Sequence, residues 1–539
     1  MDVLIIPGHF SYGHKDSLKH VDDFRLSIEG VPMSIPNLVD YFRNDRQLPN
    51  VENLLKKELH RPYRQVYYSG LHLYSLLARH GYDAAILNCH DAKDPARLKL
   101  YNENPPCVVL SGTFMNMEAM CNVARDVREH LPEAWIIAGG SCVSQAYNIW
   151  KRRDEEYYSH PEIRNAYFFT ADDPVVDIDV YIVDIHGEET LLRMLQAVKK
   201  GLRPRDMPNT IVPIRKNGLL TFQVNEENPE DFALDNYPVA WDLLPRSVRN
   251  VVMPFSLTYG CPFNCAFCNF ARTAFSRKSI DSSMAELRIL STLQGVQRVW
   301  FTDDNFLLNP KMVEKFCQRL IEEDLPISWM SFCRASAITQ KTAELLRKSK
   351  CCLLIIGLES GSDTILKNMH KANTASSYLT SLKALADNGI DTEISFIFGF
   401  PGETAQTVQE TVDFINSLPR SPQQINYLYL FKFCLVPLSP VFEKKLRERW
   451  QLEGVLLDWR HATMHSDEVD DILRDVASRT ETTVFNYLDP QGKLNREEQI
   501  SIMRLRDDLA RQVLKNGGDS QRSKELWDQL ESRIRYHFL

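Results

Sequence analysis

A chain of 539 residues, 44% of them hydrophobic and 25% charged, has the balance of a folded globular protein and more length than one ordinary core absorbs, so two or three domains are expected. The formal net charge of −8, with no concentrated basic block, argues against nucleic acid as a partner. No apolar run approaches the roughly 18 residues of a membrane-spanning helix, and the opening residues, MDVLIIPGHF, lack the features of a secretory signal, so a cytoplasmic location is expected.

In chain order, residues 2–7 (DVLIIP) predict a buried strand, and similar short apolar runs recur at 84–87, 107–111, 135–138 and 180–183. Apolar residues at helical spacing predict helices over 65–81, 118–130 and 188–201, between or after these strands. This alternation predicts a parallel, doubly wound sheet. Residues 9–63 interrupt it with a long, charged, partly helical insertion that either covers a ligand or decorates the surface. Residues 202–250 are rich in proline and poor in long periodic runs, and read as a connecting segment. Further strands are expected at 252–258, 298–302, 327–332, 352–357, 393–398 and 425–433, with helices between them, which fits a partial β/α barrel over 251–440. Beyond 441 the pattern is charged and helical. The division expected is therefore 1–201, 202–250, 251–440 and 441–539.

Twelve cysteines are too few to staple so long a chain, and in a reducing compartment they point to metal binding or burial. Burial is expected for Cys333 and Cys434. Three others, in SLTYGCPFNCAFCNF, form a C-x-x-x-C-x-x-C array just after a predicted strand: Cys261, Cys265 and Cys268. Three thiolates this close suit one face of a 4Fe–4S cluster, leaving one iron open. An open iron can chelate the amino and carboxylate groups of S-adenosylmethionine (SAM), whose sulfonium an electron from the cluster then cleaves. The alternatives are a zinc knuckle, which lacks an obvious fourth ligand here, or buried cysteines clustered by chance.

The spacing, with Phe267 before the last cysteine, resembles the radical SAM superfamily. The resemblance extends through FTDDNF (301–306), SFCRAS (331–336), GLESGSDTILKNMHK (357–371) and GFPGET (399–404), each at or after a predicted strand end, where a β/α barrel gathers its site. It implies that Phe267 contacts the adenine, Thr302 and Asp303 the amino-acid part of SAM, Arg334 its carboxylate and Glu359 the ribose or methionine moiety, with Gly399 and Pro401 beside them. It also implies an external electron donor such as flavodoxin or ferredoxin. Taken residue by residue, Asp303 and Asp304 could instead cap a helix, and Glu359 could be a solvated loop carboxylate.

The first 200 residues are similar to the cobalamin-binding Rossmann-like domain that precedes such barrels, on the strength of LSGTFMNM (110–117), IIAGGSCVS (136–144) and DIHGEETLLRML (184–195). Small residues after a strand let a macrocycle or its nucleotide tail approach the backbone, which makes Ser111, Gly112, Thr113, Gly139, Gly140 and Ser141 candidates, with Gly187 and Glu188 beside them. Ordinary turn chemistry is the competing reading for the glycines. The D-x-H-x-x-G motif of cobalamin domains with a histidine lower ligand is absent. Asp184-Ile185-His186-Gly187 is a partial echo of it, and His9 and His14 are lone loop histidines. The combination implies a cobalamin-dependent radical SAM methyltransferase that moves a methyl group from SAM via methylcobalamin to a carbon of a small-molecule or natural-product substrate. The alternatives are a cyclase or rearrangement enzyme of the same fold without net methylation, and a non-catalytic cobalamin or cluster sensor. WRHATMH (459–465) is similar to a segment after the barrel in related enzymes and carries no assigned role.

Overall fold

The computed structural model describes residues 1–8, 26–28, 31–33, 35–47, 66–92, 94–112, 117–170, 177–216, 219–271, 273–335, 338–480, 483–484 and 495–539. Its first sheet contains β1 (Val3–Ile6), β2 (Ala84–Ile86), β3 (Cys107–Ser111), β4 (Trp135–Gly139) and β5 (Val180–Ile182), parallel and in the order β2-β1-β3-β4-β5. Strands covered on both faces cannot alternate apolar with polar, which is why β1 and β3 read as continuous apolar runs. Ile5, Val109 and Ile137 pack against Leu71 and Leu191 on one face. Leu4, Val108 and Ile136 pack against Val123 and Val127 on the other. The strand order reverses between β1 and β3, so a crevice opens at the carboxyl ends of the strands.

The expected helices form as Tyr68–Arg79, Met117–His130 and Glu188–Lys199, joined by Ser141–Lys151 after β4. Within the segment expected to connect the domains, β6 (Thr210–Lys216) and β7 (Leu219–Val224) form a hairpin that extends the first sheet antiparallel to β5. Its mixed sequence, TIVPIRK and LLTFQV, carries too little alternation to show as strand.

The second sheet runs in sequence order, all parallel: β8 (Val252–Phe255), β9 (Arg298–Phe301), β10 (Ser328–Cys333), β11 (Cys351–Glu359), β12 (Asp391–Phe398) and β13 (Asn426–Lys432), with the short β14 (Thr483–Val484) on β13. This is the partial β/α barrel. Behind β9 and β10, Phe301, Phe306, Phe316 and Trp329 pack with ring centroids 5.1 to 6.1 Å apart. The C-terminal region combines a three-stranded ribbon (Glu453–Val455, Asp458–His461, Met464–His465) with helices Glu468–Arg479, Arg496–Asn516 and Gln521–Phe538. Ile500, Met503 and Leu530 join Met330, Leu353 and Tyr427 in one core that closes the amino end of the barrel. The described part of the 9–63 insertion, helix Ile35–Arg43, belongs to that core too, with Phe42 edge-on to Trp527. There it covers the C-terminal helices. His9 and His14 lie outside the described residues. Among the described residues no helix is long and apolar enough to cross a membrane.

Candidate functional site

A cavity of about 520 Å³ lies where the carboxyl ends of the two sheets meet. The first sheet contributes Ser111, Gly139, Gly140, Ser141, Gly187 and Glu188; the barrel contributes Trp300, Thr302, Asp303 and Asp304. Gly140 has φ +89°, and a Cβ there would sit 3.0 Å from the Gly112 nitrogen. The site demands glycine because the two loops are bonded together: Gly112 N–H donates to the Gly139 carbonyl and Cys142 N–H to that of Gly112, both at 2.8 Å. Gly112 supports this junction from outside the cavity lining, and Thr113 lies outside the described residues.

Aromatic rings supply much of the rest of the wall. His186 stacks on Phe232 at 3.9 Å with 6° between planes and meets Tyr259 edge-on at 4.8 Å. Burial lowers the His186 pKa from its ordinary value, so the neutral ring is favoured. Glu188, at the first turn of its helix, is held by a bond of 2.8 Å between its Oε1 and His72 Nε2. Its Oε2 is buried with no protein partner, as are Tyr68 Oη, Ser69 Oγ and Trp300 Nε1 on the same cavity. Sequence reasoning missed Tyr68, His72, Phe232, Tyr259 and Trp300. Their spacing along the chain carries no motif, and only the fold brings His72 and Glu188 together.

The three cysteines sit on the loop after β8, each partly buried and none in a disulfide. Gly260, with φ +84°, turns the chain into this loop; a Cβ there would lie 1.9 Å from the Ala274 carbonyl oxygen. Ala266 anchors the middle, its N–H donating to the Met369 carbonyl (2.9 Å) and its carbonyl accepting from Val441 N–H (2.8 Å). Asp303, fully buried, accepts from Thr258 Oγ1 and from Leu257 N–H, and Asp304 accepts from Gly260 N–H at 2.9 Å. Burial pushes the Asp303 carboxyl up to about 7. The two carboxylates thus brace the entrance to the cysteine loop, and neither caps a helix. The loop's far end, Phe270 and Thr273, returns to the cavity wall.

Arg334 Nη1 lies 3.2 Å from Cys265 Sγ, its guanidinium stacks 4.0 Å over the Phe263 ring, and its Nη2 is buried without a protein partner. Burial, followed by the neighbouring cysteines, pushes the Cys268 thiol up to about 11, and burial raises Cys261 as well. Phe267 packs against the core with Lys371 Nζ 5.6 Å above its ring. Glu359, in the left-handed region at φ +71°, receives Lys371 Nζ (3.1 Å) on Oε1 and Ser395 Oγ (3.1 Å) on Oε2. It is a buried, fully engaged carboxylate at the end of β11, which removes the solvated-loop reading. Gly399 and Pro401 do not reach the cavity lining. The Gly399 carbonyl accepts from His461 Nε2 (3.1 Å), a Cβ on Gly399 would lie 2.5 Å from Trp459, and the Pro401 carbonyl accepts from Asn368 Nδ2 (3.2 Å). WRHATMH is thereby the wedge that fixes the GFPGET loop. Cys333 is buried as expected, while Cys434 is partly buried.

The donor set suits the groups the sequence implied. Among the described residues no three His, Cys, Asp or Glu side chains converge on one point for a single ion, whereas a cubane takes each thiolate on a different iron. The spare Arg334 Nη2 beside the cysteines suits a carboxylate, and the unpartnered cavity groups suit a ligand with both donors and acceptors.

Residues 255–415 match the model of the radical SAM superfamily, so the chain carries a radical SAM domain, whose cofactors are a 4Fe–4S cluster and SAM. Its fold is similar to that of OxsB, a cobalamin-dependent S-adenosylmethionine radical enzyme solved with aqua-cobalamin and SAM bound, which superposes with a TM-score of 0.56 at 13% identity, covering 99% of this chain and 75% of OxsB. An uncharacterized methyltransferase of Pyrococcus horikoshii is 30% identical over 249 residues, 44% of this chain and 52% of that protein. An anaerobic magnesium-protoporphyrin IX monomethyl ester cyclase of Rubrivivax gelatinosus is 29% identical over 248 residues, 43% of each. The chain spans about half the length of the curated relatives it matches.

Proposed function

We propose that the protein is a cobalamin-dependent radical SAM methyltransferase that moves a methyl group from SAM to a carbon of a small-molecule substrate. The observation that carries this reading is a cavity bounded on one side by the glycine loops of a doubly wound sheet and on the other by strand ends of a radical SAM barrel, where Phe270 and Thr273 of the cysteine loop reach its wall although the three cysteines do not. When bound, the cluster supplies the electron that cleaves SAM, and cobalamin carries the methyl group. Cys261, Cys265 and Cys268 hold the cluster; Arg334 positions a carboxylate beside it, and Asp303 and Asp304 keep the loop in place. Ser111, Gly139, Gly140 and Ser141 leave room for the corrin at the strand ends, and Glu188 with His72 offers it an acceptor. The aromatic wall around His186 and Phe232 would help to exclude water from the cavity. An external electron donor such as flavodoxin or ferredoxin would supply the electron.

The test uses anaerobically reconstituted protein, reductant, SAM deuterated in its methyl group, and a small-molecule extract. A product carrying the labelled methyl group, with S-adenosylhomocysteine and 5′-deoxyadenosine formed together, is expected. The cyclase similarity favours one second reading, ring closure without methylation. A new product with no labelled carbon would establish that reading and overturn methylation.

A further inference from the structure

Along the barrel strands, side chains alternate between two environments. Val299, Leu354, Ile394 and Leu428 face outward into the core shared with the helices, and the residues between them face the lumen. On the lumen side of β12, Asp391 accepts from Arg496 of the C-terminal region at the floor, and Ser395 Oγ donates to Glu359 near the rim. Glu393 lies between them, paired in register with Ile355 of β11, which pairs in turn with Phe332 of β10. Side chains do not fill the lumen at this level: Ile355 and Glu393 are only partly buried, and Phe332 is 38% exposed. Phe332 and Trp300, with ring centroids 5.7 Å apart, also line the cofactor cavity, which therefore extends from the strand ends down to this level.

Two polar groups here lack protein partners. Among the described residues no hydrogen bond or ion pair engages Glu393, and burial pushes its carboxyl up to about 7. The charged groups above and below it are committed to each other, Lys371 to Glu359 and Arg496 to Asp391. Trp300 Nε1 is the second group, a buried donor with no acceptor. A carboxylate removed from water is costly without a cation, aromatic faces attract cations, and a buried N–H requires an acceptor. A ligand that answers all three is a cation with a flat apolar body and an oxygen.

We propose that the protein's substrate is an aromatic amine that enters this lumen, with its ammonium on the Glu393 carboxylate, its ring against Phe332 and an oxygen accepting from Trp300 Nε1. This rests on the methyltransferase reading of the cavity and adds the chemical class that reading leaves open. A neutral substrate would leave the carboxylate unpaired, and an acidic one would meet a like charge.

The test is a ligand-observed NMR titration of the reconstituted full chain at pH 8, without reductant, using para-methoxybenzylamine, para-methoxybenzyl alcohol, para-methoxyphenylacetate and benzylamine. Saturable binding of para-methoxybenzylamine is expected, about tenfold or more tighter than the alcohol or the acetate. Glu393→Gln should abolish the preference for amine over alcohol, and Trp300→Phe should remove the advantage of the methoxy compound over benzylamine. Phe332→Ala, at an exposed ring with little risk to folding, should weaken all four probes alike. Thermal melting and iron content check the fold of each variant. An alcohol that binds wild type as tightly as the amine, a preference that survives Glu393→Gln, or no saturable binding of any probe would overturn the proposal. Because the titration needs no turnover, the two readings fail separately. Amine-selective binding with no labelled methyl product would sink methyl transfer and leave the amine site standing, whereas methylation of an acidic or neutral substrate would sink the amine assignment alone.

Discussion

If Cys261, Cys265 and Cys268 hold the cluster as proposed, the ligand set has no redundancy. Replacing any one with Ala leaves two thiolates, so iron and sulfide counts after anaerobic reconstitution should fall well below a full cluster. Glu403 offers a test of a different kind. It is fully buried, its Oε2 accepts from Gly399 N–H and its Oε1 has no partner. Burial pushes its carboxyl up from the ordinary 4.5 to about 8. Between those values the native state keeps a proton that the unfolded chain has released, so this group lowers stability as pH rises, by at most about 1.4 kcal/mol per pH unit. Glu403→Gln keeps a carbonyl acceptor for Gly399 without a titration. It should melt with wild type near pH 5 and distinctly above it at pH 8, and parallel melting curves at the two pH values would contradict this. His186 is a third case. Its ring is spent on Phe232 and Tyr259, so His186→Ala should keep most of the bound cobalamin, whereas complete loss in a folded variant would assign the ring to the cofactor. The cysteine loop could be picked out as a candidate because its spacing is local in sequence. The role of Asp303 was not, because its partners Leu257 and Thr258 lie 46 and 45 positions away.

At the scale of elements, the helix Ser141–Lys151 links the two halves of the site. Its amino end follows Gly140 at the cavity, its middle residue Gln145 accepts from Asn269 Nδ2 at 3.0 Å one position beyond Cys268, and just past its end Arg152 grips Glu443 through Nη1 (2.6 Å) and Nη2 (2.8 Å). Tyr158 packs edge-on to Phe442 beside this grip. This helix therefore sets the spacing between the glycine loops and the cysteine loop. The double variant Gln145→Leu/Arg152→Ala should retain both cofactors yet release more 5′-deoxyadenosine per methylated product, several-fold on the expectation that small misplacements are costly to coupled chemistry. An unchanged ratio would remove the helix from the coupling. Strands such as Cys107–Ser111 and Trp135–Gly139 could be read from sequence because they are buried on both faces. The hairpin Thr210–Val224 and the ribbon Glu453–His465 could not, being short, mixed in polarity and stabilised by partners distant in the chain.

For the whole molecule, the order of elements was legible, since alternating strand and helix signals leave few parallel topologies. The placement of one sheet's strand ends against the other's was not, because it depends on contacts such as Arg152 with Glu443 and Asn269 with Gln145 that no local pattern encodes. That placement is what turns two ordinary ligand crevices into one cavity. On the proposed reading, this chain holds cobalamin at the glycine loops and an iron–sulfur cluster at the cysteine loop, two separate sites. The most direct measurement is metal analysis of protein reconstituted anaerobically with iron, sulfide and hydroxocobalamin and then passed through gel filtration, for wild type and for the triple variant Cys261→Ala/Cys265→Ala/Cys268→Ala. Cobalt and iron should both elute with the wild-type protein, and the triple variant should lose iron while keeping cobalt. A wild-type protein that elutes without cobalt, or a triple variant that loses both metals while still folded, would rule out two separate cofactor sites.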